Sequence, residues 1–324
     1  MKLRWLLPSV LLSLAAGPLS AQSQTPRFDP SRAAANALRG DAAALPALRD
    51  QQARMLNVLT DENSFAPQSP GDPDIGQQLI LKRNEKTEAF ALLLDSGYFF
   101  TDNAAQVHRD AKQDWFYVGG GAFSWQPRIT RRFYGNLSVA QHWYRYDEFS
   151  VLNYESGEAA AGLIVLMPEI WNTIWHVNYF YQRITQGIDN NAIYDTHNLN
   201  AGVQKTVFFD RKNSVNLGLL ASIALDASPA ELKRNEYFAA IGWNYKIKHS
   251  MLLSLSYRLL YYDYLNFDGR RDWNNNFSAA LVYRPWEWME LAGTWNYTLN
   301  SSNKEAFGYN VQLAGPAVSV RMRF

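Results

Sequence analysis

The chain has 324 residues and 31 Lys and Arg against 30 Asp and Glu, so it lacks the basic excess of a nucleic-acid-binding protein. It contains no cysteine, which excludes disulfides, thiolate metal sites, a lipid-bearing cysteine and a cysteine nucleophile. An aromatic share of 14% beside an ordinary apolar share of 47% leaves membrane and soluble classes both open at the level of composition.

In chain order, the first element is a basic start (Lys2, Arg4), an apolar run from Trp5 to Ala16, a Gly17-Pro18 break and Leu19-Ser20-Ala21. That order predicts a secretory signal peptide over 1–21, cleaved before Gln22. Beyond it no uncharged stretch approaches the roughly 20 residues of a membrane helix, so any membrane crossing must use strands.

Residues 22–80 form a second region. An alanine-rich, charged stretch with helical spacing (Leu45, Leu48, Met55, Leu56, Leu59) precedes a Pro/Gly/Asp/Ser-rich linker from Pro67 to Gly76. A short periplasmic helix and a disordered arm both fit. Either could dock a periplasmic partner.

The third region, 81–324, reads as all-β. From Glu88 onward the pattern has period two: Tyr237, Ala239, Ile241, Trp243, Tyr245 and Ile247 alternate with Glu236, Phe238, Ala240, Gly242, Asn244 and Lys246. Leu253, Leu255, Tyr257, Leu259 and Tyr261 against Ser254, Ser256 and Arg258 repeat it. Such segments suit lipid on one face and water on the other. Twelve are expected, near 88–100, 114–125, 133–146, 155–166, 173–185, 196–209, 214–226, 235–247, 251–263, 273–284, 288–299 and 308–324. Most reach the length of a tilted membrane strand, about 9 to 11 residues or slightly more.

Tight connections (126–128, 167–169, 210–213, 249–250, 285–287) alternate with longer polar ones (101–113, 147–154, 186–195, 227–234, 264–272, 300–307). Short periplasmic turns and longer outer loops give this alternation in an up-and-down barrel, and an even strand count puts both chain ends on the periplasmic side. Aromatics gather toward strand ends (Trp115 and Tyr117, Trp125, Trp143 to Tyr146, Trp171 and Trp175, Tyr261 to Tyr264, Trp286 and Trp288), as two interfacial girdles would require.

The chain closes on Gly315-Pro316-Ala317-Val318-Ser319-Val320-Arg321-Met322-Arg323-Phe324, with apolar side chains at 318, 320, 322 and 324. This resembles the C-terminal sorting signal of Gram-negative outer-membrane β-barrels, a porin-like class in which a closing strand ends in Phe. The resemblance implies that Val318, Val320, Met322 and Phe324 are read by the barrel-assembly machinery, and that the protein resides in the outer membrane in contact with its lipid. Apolar parity shifts between Leu313 and Val318, so a bulge is expected near Gly315-Pro316.

The expected inward faces carry Glu158, Glu236, Lys246, Arg258, Arg284, Glu290, Arg321 and Arg323. Two readings stay open: a cationic constriction favouring anionic solutes, or acids and bases that pair and fill a narrow lumen. His142 and His176 are expected to face the lumen as polar lining. No metal spacing such as H-E-x-x-H is present, and no cofactor is expected. A phospholipase would need a lipid-facing serine beside a histidine, but His197-Asn198-Leu199-Asn200-Ala201-Gly202 has leucine where that serine would stand. Outer-rim acids and a histidine (Asp102, His108, Asp110, Asp114) are the weaker case for a protease. The leading expectation is a narrow passive channel for small hydrophilic solutes. A structural or assembly anchor is the alternative, and an enzyme the weakest reading.

Overall fold

A computed structural model describes residues 89–187, 191–210 and 212–324. The expected signal peptide and the 22–80 arm lie outside the described residues. Twelve strands run β1 (Phe90–Thr101), β2 (Asp114–Trp125), β3 (Phe133–Tyr146), β4 (Tyr154–Met167), β5 (Thr173–Gln186), β6 (Ala192–Phe208), β7 (Asn213–Ser228), β8 (Arg234–Lys248), β9 (Met251–Tyr264), β10 (Arg271–Trp286), β11 (Met289–Ser302) and β12 (Tyr309–Arg323). Each pairs antiparallel with its sequence neighbours, and β1 pairs with β12 to close the barrel. Closure removes the sheet edges whose amides would otherwise face lipid unpaired, at several kcal/mol each.

Alternation decides what each strand shows to either side. The outward set includes Leu94, Phe123, Val139, Leu163, Val177, Leu199, Leu219, Ile241, Leu255, Leu281 and Leu291, all exposed, as a lipid-facing band requires. Outward aromatics border the band. Tyr98, Trp115, Tyr117, Trp143, Tyr237, Tyr261, Trp273 and Trp295 lie toward the long loops, and Phe90, Trp125, Phe133, Trp175, Trp286, Trp288 and Phe324 toward the short turns. Trp286 and Trp288 stack with ring centroids 5.2 Å apart.

The seam between first and last strands is fixed at both levels. Phe90 and Phe324 exchange backbone hydrogen bonds, each N–H donating to the other's carbonyl at 3.1 Å, and their rings stack at 5.9 Å. The expected bulge near Gly315-Pro316 is absent: β12 keeps one register with β11 from Tyr309 to Val320 and one with β1 from Leu313 to Arg323. The parity shift has another cause. Val311 and Leu313 point inward, 1% and 3% exposed, into an apolar cluster inside the barrel.

The strands run longer toward the loops than the sequence pattern indicates. β6 begins at Ala192 and β7 ends at Ser228, so their hairpin extends further toward the loops than the period-two signal. At the other end Asp210 shapes the β6–β7 turn: Asn213 donates to it from its side chain at 2.8 Å, and the Lys212 and Asn213 amides at 2.6 and 2.7 Å. These bonds hold its carboxyl below the usual carboxylate range. A depressed folded-state pKa contributes stability above the unfolded value and loses it as pH falls through the folded one. Asp210→Asn is therefore expected to flatten the acid limb of the unfolding profile in detergent, and an unchanged limb would show that this turn does not contribute to it.

Candidate functional site: the barrel lumen

All eight charged residues expected to face inward lie on the inward parity, but at different depths. Lys246, Arg284, Glu290, Arg321 and Arg323 come together at the short-turn rim on the continuous arc β8–β12. Arg284 Nε donates to Glu290 Oε1 at 2.8 Å. Lys246, Arg321 and Arg323 lie at the same level, all three half-buried. The facing arc, β2–β7, presents neutral groups at that level: Ser124, Asn136, Ile174, Gln204, Thr206 and Asn216.

Midway along the axis, Glu158 accepts from Gln182 Nε2 at 3.3 Å and Arg258 donates to Asn276 Oδ1 at 3.1 Å. Two other side chains reach across an intervening strand, and at each crossing that strand has glycine. His142, on β3, reaches over Gly120 to within 3.4 Å of Asp95 on β1. A Cβ at Gly120 would sit 2.2 Å from the imidazole. Asn136 on β3 donates to Asn178 on β5 at 3.2 Å, across Gly162, where a Cβ would meet Asn178 Oδ1 at 2.3 Å. Laid against the wall, these polar groups are hydrogen-bonded to one another.

The long-loop half divides into two arcs. From β12 through β1 to β7, Phe99, Phe116, Val118, Tyr144, Tyr146, Tyr154, Ile184, Tyr194 and Leu313 form one buried apolar cluster. Tyr144 stacks on Tyr154 at 4.1 Å and Phe116 on Tyr146 at 4.9 Å. The loop 102–113 bends into this cluster with Ala104, pinned by Asn103 Nδ2, which donates to the carbonyls of Val107 and Asn310, each at 2.9 Å. The other arc, β8–β11, is polar. Glu236 belongs to it, accepting from Arg234 Nε at 3.0 Å, while Arg234 Nη1 donates to Tyr264 Oη at 2.6 Å. Arg270 is paired with Asp272 and stacked on Phe307 at 3.8 Å and Tyr264 at 4.1 Å. Asn276 donates to Thr298 at 2.7 Å, and Asn274 to Asn300 at 3.2 Å.

This corrects two sequence expectations. The lumen is not uniformly polar, and four of the tyrosines assigned to girdles, Tyr144, Tyr146, Tyr262 and Tyr264, face inward and are buried. The rim acids considered for proteolysis are dispersed among structural tasks. Asp114 is buried and accepts from the amides of Trp115, Glu148 and Phe149, Asp102 accepts from the Gln312 amide, and His108 lies 3.4 Å from Glu305. His142 and His176 lie on the inward face, whereas His197 faces outward.

No family model and no curated protein matches the sequence. Among solved structures, an outer-membrane channel from Pseudomonas putida F1 superposes with a TM-score of 0.52 at 10% identity, over 72% of this chain and 96% of that one. The outer-membrane channel DcaP of Acinetobacter baumannii gives 0.43 at 6% identity, over 72% and 96%. The fold is that of the porin-like outer-membrane barrels.

Proposed function

We propose that the protein is a narrow passive channel of the bacterial outer membrane for small hydrophilic solutes, with a preference for anions. The observation that carries this is the placement of four basic side chains, Lys246, Arg284, Arg321 and Arg323, on the inward parity of one arc at the short-turn mouth, where Arg284 also holds Glu290. A ring or arc of one sign at a pore mouth concentrates counter-ions and repels co-ions. In this reading the short turns and both chain ends are periplasmic, and the long loops face outward. Val318, Val320, Met322 and Phe324, which share the outward parity of β12, form the strip read by the assembly machinery.

The test is reversal potential in a planar bilayer under a salt gradient. Lys246→Gln, Arg321→Gln and Arg323→Gln together are expected to abolish anion preference while channels still open, with Arg284 and Glu290 left in place as a neutral pair. Unaltered selectivity would remove the arc from the permeation path. The apolar packing of the long-loop half favours a second reading, a barrel that anchors an envelope complex. Folded protein that never conducts would support that reading over the channel.

A further inference from the structure

On the outer wall, toward the long loops, β5, β6 and β7 form a groove of about 580 Å³ lined by Tyr179, Tyr181, Arg183, Asp195, His197 and Asp226. From it, we infer that the barrel binds a glycolipid, with the sugar headgroup seated in the groove. The inference rests on the membrane reading above, with the long loops facing outward.

A bulge builds the groove. The β6–β7 register shifts so that Asn198 faces Ala224 but His197 faces Asp226, leaving Leu225 as the extra residue. Without that shift Asp226 would share the inward parity of Ser222 and Ala224. The bulge turns it outward beside His197, and bulges commonly re-aim a side chain in this way. Among the described residues the Asp226 carboxylate has no hydrogen-bond or ion-pair partner. The carboxylate is thus presented outward as an acceptor for donors that approach the wall.

The height fits a headgroup. Toward the short turns the outward residues are apolar (Val177, Leu199, Leu219, Ile223), and toward the loops they are polar (Arg183, Asp195, Asp226). The groove therefore sits at the boundary where acyl chains end and headgroups begin. The chemistry fits a sugar. Tyr179 Oη and His197 Nδ1 are 2.5 Å apart, and the Tyr181 and His197 rings lie 4.8 Å centroid to centroid, making an aromatic shelf for the C–H face of a pyranose. Asp195, held by Tyr181 Oη at 2.8 Å, and Asp226 supply acceptors for hydroxyl donors. Two carboxylates against one guanidinium disfavour a bare phosphate, with Arg183 Nε 4.0 Å from Asp195.

The experiment measures glycolipid retained per folded barrel by native mass spectrometry after detergent exchange. The probes are rough lipopolysaccharide, the same glycolipid dephosphorylated, and phosphatidylglycerol as a sugar-free anionic lipid. Both glycolipids are expected to be retained and phosphatidylglycerol lost. Asp226→Asn and Tyr181→Ala are each expected to lower retention about tenfold, and Asp263→Asn, outward on β9, to leave it unchanged. Retention that disappears on dephosphorylation, or that ignores Asp226→Asn, would overturn the proposal. Asp226 is exposed, so that variant reports even if Tyr181→Ala folds poorly. It also faces away from the lumen, so conductance should be unaltered in Asp226→Asn, and a failure of the channel reading would be seen separately.

Discussion

Gly315→Val is expected to stop the barrel from closing. A Cβ at Gly315 would lie 2.1 Å from the carbonyl oxygen of Tyr98 and 2.9 Å from Phe99 Cα, both backbone atoms of β1. Neither can move without parting β1 from β12. Pro316 follows, with no N–H to give, so this stretch of the seam has little hydrogen bonding in reserve. Each amide pair that opens in lipid costs several kcal/mol, and two or three would consume the stability of an ordinary domain. The measurement is the fraction that keeps heat-modifiable mobility after refolding into vesicles. The control is Gly293→Ala on β11, where nothing lies within 4 Å of an added Cβ and the wild-type yield is expected. A wild-type yield from Gly315→Val would mean that the seam does not depend on this close approach.

Gly315 also shows where the sequence pattern misleads. Strand number, strand position and the inward or outward side of β8, β9 and β11 are legible from alternation, because a membrane barrel has lipid on one side along its whole height. The pattern fails in the long-loop half, where the inward face is apolar too. Leu313 and Val318 then look like two residues of one face interrupted by a bulge, when each is on its proper side and only the inner environment has changed. Tyr144, Tyr146, Tyr262 and Tyr264 resemble girdle residues in the sequence for the same reason. An aromatic residue at a strand end satisfies either the interface or a packed interior, and only its parity relative to Trp143 or Tyr261 separates the two. The grouping of Lys246 with Arg321 and Arg323 could not be seen along the chain, since it depends on the order of strands around the closed wall. The bulge that exposes Asp226 has no glycine or proline at Leu225 to announce it. The buried ion pairs do have a local signal: Arg234-Asn235-Glu236 and Arg270-Arg271-Asp272 place opposite charges two residues apart, on one side of an extended chain.

The second of these pairs gives the other large expected effect. Arg270 and Asp272 have side chains only 4% and 2% exposed, and Arg270 Nε donates to both carboxylate oxygens at 3.1 Å. The guanidinium is further enclosed by Tyr264 and by Phe307, which the loop between β11 and β12 folds over the mouth. Asp272→Ala would leave this cation buried between rings without its counter-charge, and removing one partner of such a pair costs about 3–5 kcal/mol. Arg270→Met with Asp272→Leu removes both charges at similar volume, and is expected to recover most of that loss, because desolvation offsets much of what a buried pair contributes. Urea unfolding in lipid vesicles distinguishes these outcomes. A loss below about 1 kcal/mol for Asp272→Ala would match an exposed pair, showing that water reaches the guanidinium and that the mouth stands open at β10. A large loss, recovered in the double variant, would show that the β9–β11 side of the mouth is held shut by packing, with the β11–β12 loop that carries Phe307 tied in turn to loop 102–113 through Arg109 and Glu305.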